Sequence, residues 1–219
     1  MKMASYTIIT CLITFMFLTI TQAQTQEELK LAGEYFERAI SKIQSGDNKG
    51  AIQDLTKVIE LNPTSANSYY NRAVLKAKLG DLSGAMQDYT EAIEIKPKEP
   101  DYYNNRGSLK YQLRNFKGAI EDYDQAIKLT PNNGDLYYNK GISYEELGDF
   151  RVAIQQYDKA IKFNQNDPSY YLTRGLLKQE MGNIKQGCVD LAKAKELGST
   201  DAADSISDSC KTKYKKPLK

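Results

Sequence analysis

The sequence predicts an all-α protein: about five helix-turn-helix repeats of 34 residues, closed by a short C-terminal capping helix. Three observations predict it. A tyrosine-rich motif recurs as "SYYNRA" (68–73), "DYYNNRG" (101–107), "LYYNKG" (136–141) and "SYYLTRG" (169–175), with its cations Arg72, Arg106, Lys140 and Arg174 each 34 residues apart. Pro63, Pro97 and Pro131 keep the same interval. Between motif and proline, apolar residues fall twice at helical spacing, with a Gly-Asp or Gly-Asn break between the two runs. A fixed period of this size marks a repeat array.

The chain begins with a segment of another kind. Lys2 is followed by a run from Tyr6 to Ile20 that is apolar apart from its threonines and one cysteine, and Thr21-Gln22-Ala23 ends it. A charged start, an apolar middle and small residues at the end are the layout of a cleaved secretory signal over 1–23. At about 15 residues the run falls short of the roughly 20 that a spanning helix needs. The expectation is an exported chain, periplasmic or secreted, and membrane-anchored if the signal is retained. Residues 24–31 read as a lead-in.

The repeats follow at 32–65, 66–99, 100–133, 134–167 and 168–201. Within each, a first helix (A) carries the tyrosine motif. Gly46-Asp47, Gly80-Asp81, Gly148-Asp149 and Gly182-Asn183 then turn the chain, glycine ending one helix and Asp or Asn capping the next. The third repeat has Arg114-Asn115 and is expected to turn less comfortably. The second helix (B) runs to the proline, which stops it. In the first repeat Asn48 stands where Leu82, Phe116, Phe150 and Ile184 stand elsewhere, so that B helix is expected to start loosely.

Small residues recur in step. Ala39, Ala73, Gly107, Gly141 and Gly175 lie on the A helices, and Ala51, Ala85, Ala119, Ala153 and Gly187 on the B helices. They let two backbones approach closely. Tyr35, Tyr69, Tyr103, Tyr137 and Tyr171, with Leu55, Tyr89, Tyr123, Tyr157 and Leu191, are expected to fill the space beside each contact, because a core needs size alternation to reach density. Tyr103, Gly107, Ala119, Tyr123, Ala126 and Pro131 together resemble the tetratricopeptide repeat (TPR), a resemblance that extends over about three quarters of the chain. It implies a right-handed α-solenoid whose A helices line a concave face.

Arg38, Arg72, Arg106 and Arg174 are each followed 16 residues later by Asp54, Asp88, Asp122 and Asp190; where Lys140 replaces Arg, Gln156 replaces Asp. Loss of the cation and loss of the acid coincide. That favours ion pairs between A and B helices over an anion-binding ladder, and bidentate arginine geometry explains why lysine appears where the acid is gone.

After Gly198, Ala202, Ala203, Ile206 and Cys210 recur at helical spacing, which predicts a capping helix over 200–212, followed by a basic, solvated tail at 213–219. Cys188 and Cys210 stand equally far from the turn at Ser199. They are predicted to form a disulfide, against the alternative of two buried thiols.

By the resemblance, the concave face presents Tyr70, Asn71, Asn104, Asn105, Tyr111, Tyr138, Asn139 and Ile142. An asparagine amide donates and accepts, so a ladder of three suits a peptide backbone, although each asparagine is equally suited to bonding the neighbouring repeat. The cations with which some relatives clamp a terminal carboxylate are absent: Phe36, Asp101 and Asn105 occupy those places.

The chain has a net charge of +2 and no histidine. Its balanced charge gives no support to nucleic-acid binding, and the usual general base and metal ligand are missing. No catalytic residue, metal, cofactor or small-molecule substrate is expected. The reading is a non-catalytic adaptor for a protein or peptide; a self-associating envelope component is the alternative.

Overall fold

The computed structural model describes residues 25–205 and residue 210. The expected signal at 1–23, Ile206 of the capping helix and the tail at 213–219 lie outside the described residues. The chain divides into two compact units, one ending at Pro97 and one beginning at Lys98.

The first unit contains α1 (25–45), α2 (Asn48–Leu61), α3 (Ala66–Lys78) and α4 (Leu82–Ile95). Helix α1 already runs through 25–31, so the expected lead-in is helical and exposed. Helix α2 does not start loosely. It begins at Asn48 and is as long as α4, because the Asp47 side chain accepts from the Gly50 N–H at 2.9 Å as Asp81 does from Gly84. An aspartate at this place satisfies one orphan donor of the first turn, so the residue after it need not be apolar. Ala39, Ala51, Leu55 and Leu75 form one core cluster, with Phe36, Ile43 and Ile52 packed on it.

The second unit contains α5 (Pro100–Gln112), α6 (Phe116–Leu129), α7 (Gly134–Glu146), α8 (Phe150–Phe163), α9 (Pro168–Glu180), α10 (Ile184–Glu196) and α11 (Thr200–Ser205). Its main helix contacts join sequence neighbours, with α5 also meeting α7 and α9 meeting α11. Among the described residues of both units every regular element is helical. Helices α2, α4 and α6 each end two residues before their proline.

Close backbone approach holds these pairs together. Ala119 and Ala153 are fully buried, as are Tyr157 and Leu191. A Cβ added at Gly141 would sit 2.5 Å from the Tyr157 ring, so only glycine fits beside that aromatic. The expected filling role of the motif's first tyrosine holds for buried Tyr137 but needs correction at the other four places. Tyr35, Tyr69, Tyr103 and Tyr171 are only half-buried; the buried place lies one residue earlier, at Ser68, Tyr102, Leu136 and Tyr170. The tyrosine pairs therefore sit in two registers, one residue apart. In the cap, Ala202 is buried and Ala203 is exposed. Adjacent helical residues point about 100° apart and cannot share one face.

Candidate functional site

The arginines of the motif do not serve a groove. Arg38, Arg72, Arg106 and Arg174 each place Nε and Nη2 on the two oxygens of Asp54, Asp88, Asp122 and Asp190, at 2.6–2.9 Å. This is the fork geometry that lysine cannot supply. A second cation, unforeseen from sequence, joins each pair: Lys42, Lys76, Lys110 and Lys178 reach the same carboxylates at 2.8 Å. Its signal was available, since these lysines also recur at 34-residue intervals. Each guanidinium lies over the tyrosine three residues before it, Tyr35, Tyr69, Tyr103 or Tyr171, 4.6–5.9 Å from the ring centre. That contact accounts for the half-exposed tyrosines, whose rings cover a paired cation. The arginine fork beside Asp54 holds its carboxyl down at about 2, outweighing a burial effect in the opposite sense.

Repeat four replaces all three partners. Lys140 bonds Asp124 on α6 at 2.6 Å, Tyr144 stands in the lysine place, and Gln156 is buried with an unpaired Oε1. The cation thus turns from its own repeat to the preceding one, while the amide keeps the buried position without a charge. Arg174 makes both kinds of contact, adding Asp158 at 2.5 Å to its Asp190 pair.

The remaining candidates lie on the A helices. In the first unit, Tyr70 and Asn71 are half-buried on α3, with the Tyr70 ring 6.0 Å from that of Tyr89. In the second unit the A helices bond across one repeat. Asn139 Nδ2 donates to Asn104 Oδ1 at 3.1 Å; Tyr138 and Thr173 hydroxyls meet at 3.0 Å; the Tyr111 hydroxyl donates to Glu146 at 3.2 Å. One donor of the Asn139 amide is therefore spent on the neighbouring repeat. Asn105 is half-buried on α5. The Tyr138 ring stands 5.7 Å from Tyr157 and 5.0 Å from Tyr170, and Ile142 packs with Tyr138 on a core of Ala153, Tyr157 and Leu177.

At the end of this face Glu145 accepts from the Tyr157 hydroxyl at 2.6 Å. Burial raises the Glu145 carboxyl above its ordinary range, and Glu180 and Glu146 push the same way, against that hydrogen bond. Exposed Leu176 lies one turn along α9 from Leu172. The arrangement offers aromatic area, amide donors and acceptors, and an acidic end. Among the described residues no group of three or more Cys, Asp or Glu side chains is placed to hold a metal.

Cys188 on α10 and Cys210 are bonded, with their Cα atoms 5.5 Å apart, and Gln179 Nε2 points at both sulfurs.

Comparison with solved structures places the chain among repeat proteins. A crystal structure of MamA superposes with a TM-score of 0.72 at 22% identity, covering 87% of this chain and 98% of that one. YrrB, described as a TPR protein with an unusual peptide-binding site, gives 0.70 at 18%, covering 84% and 96%. PilF of Pseudomonas aeruginosa gives 0.70 at 19%, covering 88% and 96%. Comparison with curated protein sequences gives no match. The TPR repeat family profile matches residues 41–80, 75–114, 107–148 and 146–182, which together span most of the array. With the 34-residue helix pairs, the paired small residues and that match in hand, the chain belongs to the tetratricopeptide-repeat family.

Proposed function

We propose that this protein is a non-catalytic adaptor that holds a polypeptide segment against the A helices of its repeats, each unit offering its own contacts. The observation that carries the reading is the contrast between the two sets of motif residues. The arginines are consumed by internal pairs, whereas Tyr70, Asn71, Asn105, Tyr111, Tyr138 and Asn139 remain half-exposed on the A helices. Aromatic rings with polar tips and amides beside them make good protein contact surface. The bond between Asn139 and Asn104 narrows the amide ladder, so tyrosine contacts contribute the larger share of the affinity.

The Cys188–Cys210 bond supports an exported location, periplasmic or secreted, because such bonds persist in oxidising compartments. The test is affinity capture of envelope proteins with the wild type and with a Tyr70→Ala/Asn105→Ala/Tyr138→Ala variant, its fold checked by circular dichroism. Loss of the captured partners by a folded variant is the expected result. Full retention would remove the face from consideration, and light scattering across concentration would then ask whether the chain binds itself.

A further inference from the structure

Beyond this face, the first repeat carries a cavity of about 260 Å³ between α1, the end of α2 and the start of α3. Four of its lining residues are Ala32, Gly33, Phe36 and Val58, and Glu37, Asn62, Ser65 and Asn67 make the rest largely polar. Three repeats later, 102 residues on, the same four places are Gly134, Asp135, Tyr138 and Ala160. There the space is occupied. Tyr170, buried to 1% exposure, inserts its ring beside Gly134 and Tyr138, and its hydroxyl donates to Asp135. A Cβ at Gly134 would come within 3.2 Å of that hydroxyl, which shows how closely the ring fills the slot.

The residue that corresponds to Tyr170 in the second repeat is Ser68, which bonds Ser65 at 2.8 Å and sends nothing into the slot. Ala32 and Val58 are larger than Gly134 and Ala160 and take up part of the ring's volume. Among the described residues the remainder is open. At about 260 Å³ the cavity has room for an aromatic ring, which would displace water from its polar wall.

We infer that this cavity between α1, α2 and α3 receives an aromatic side chain, phenylalanine or tyrosine, from a bound polypeptide, in the manner in which the later slot receives Tyr170. Gly33 replaces the carboxylate that bonds the Tyr170 hydroxyl, so the site does not demand a phenol. Phe36, standing where Tyr138 meets Tyr170, supplies the ring contact that an aromatic prefers over an aliphatic group. The inference rests on the polypeptide-binding reading but names a separate contact, within the first two repeats.

The test titrates the isotope-labelled protein with N-acetyl-L-phenylalaninamide, N-acetyl-L-tyrosinamide and N-acetyl-L-leucinamide, following amide resonances of Gly33, Phe36 and Ser65. The two aromatic probes are expected to shift these resonances with millimolar affinity, at least fivefold tighter than the leucine probe. Ser68→Tyr/Ala32→Gly, which copies the Tyr170–Gly134 pair, is expected to weaken aromatic binding at least tenfold. Gly33→Phe blocks the mouth from a position where an added Cβ meets nothing within 4 Å, and keeps the test decisive if the double variant fails to fold. Equal response to leucine, absence of shifts at these residues, or binding retained in folded Gly33→Phe would each overturn the proposal. So would shifts at the same residues that grow with protein concentration alone, since a second copy would then be the occupant. None of these outcomes bears on the triple alanine variant, so failure here leaves the A-helix face to its own test.

Discussion

Arg114 adopts a φ of 60°, at the turn where the other four repeats place Gly46, Gly80, Gly148 and Gly182 at 79–89°. The left-handed conformation costs an L side chain about 1–2 kcal/mol, and glycine gives back part of that through its freer unfolded chain. Arg114→Gly is therefore expected to stabilise by about 0.5–1 kcal/mol in urea melts. The charge clusters make a sharper case. Asp122 holds Arg106 and Lys110, whose side chains are only 16% and 19% exposed, whereas Arg38 beside Asp54 is 56% exposed. Removing one partner of a buried pair strands the others, at about 3 kcal/mol; exposed partners find water instead. Asp122→Asn should thus cost several times more than Asp54→Asn at neutral pH. Asp54 also predicts an acid limb. Its folded carboxyl sits at about 2, below its ordinary 3.8, so its contribution is complete above roughly pH 4 and is lost as pH falls through 2. Stability measured from pH 5 to 2 should fall less steeply in Asp54→Asn than in the wild type; parallel curves would refute the assignment.

At the scale of helices, much was legible because the repeat writes each constraint several times. One glycine beside one tyrosine means little, but Gly107 with Tyr123 and Gly141 with Tyr157, at one interval, specify contact between backbones. The coincidence of Lys140 with Gln156 exposed the arginine–aspartate pairing in the same way. What escaped was information carried by register. "YY" looks alike in all four motifs, yet the pair slides by one residue between them, and Tyr102, Tyr137 and Tyr170 are buried while Tyr69 and Tyr70 are not. Of the A-helix face, composition was legible but not partnership: nothing in the letters says that Asn139 reaches back to Asn104. The cap shows the limit of reading spacing alone, since Ala202 and Ala203 cannot both face α10. Its disulfide closes a 22-residue separation between α10 and Cys210. In the chain-entropy account that constraint is worth about 3 kcal/mol. Reductant should lower the melting temperature of the wild type and protect no less of α5–α8 from hydrogen exchange, while α10 and α11 exchange faster. A Cys188→Ser/Cys210→Ser variant should match the reduced protein and ignore reductant.

Within the second unit, helix contacts run mainly between sequence neighbours and otherwise reach no further than the next repeat or the cap, so stability is close to a sum of local terms and damage stays near its source. Gly141→Ala tests this. The added methyl meets Tyr157 Cε1 at 2.5 Å and Cδ1 at 2.8 Å, and the ring cannot retreat freely because its hydroxyl is tied to Glu145 and its body packs on Ala153 and Leu177. Overpacking of this kind costs about 1–3 kcal/mol. In a compact globule that loss would be felt by every core amide alike. In a stack of hairpins it should fall first on α7 and α8, which share the crowded contact. Helices α6 and α9, packed against them, should follow with smaller losses, and α11 should change least. Hydrogen exchange with peptide resolution reads this gradient directly: uniform loss of protection across α5–α11 would mean that the unit unfolds as one, and that its repeats are segments of a single cooperative core.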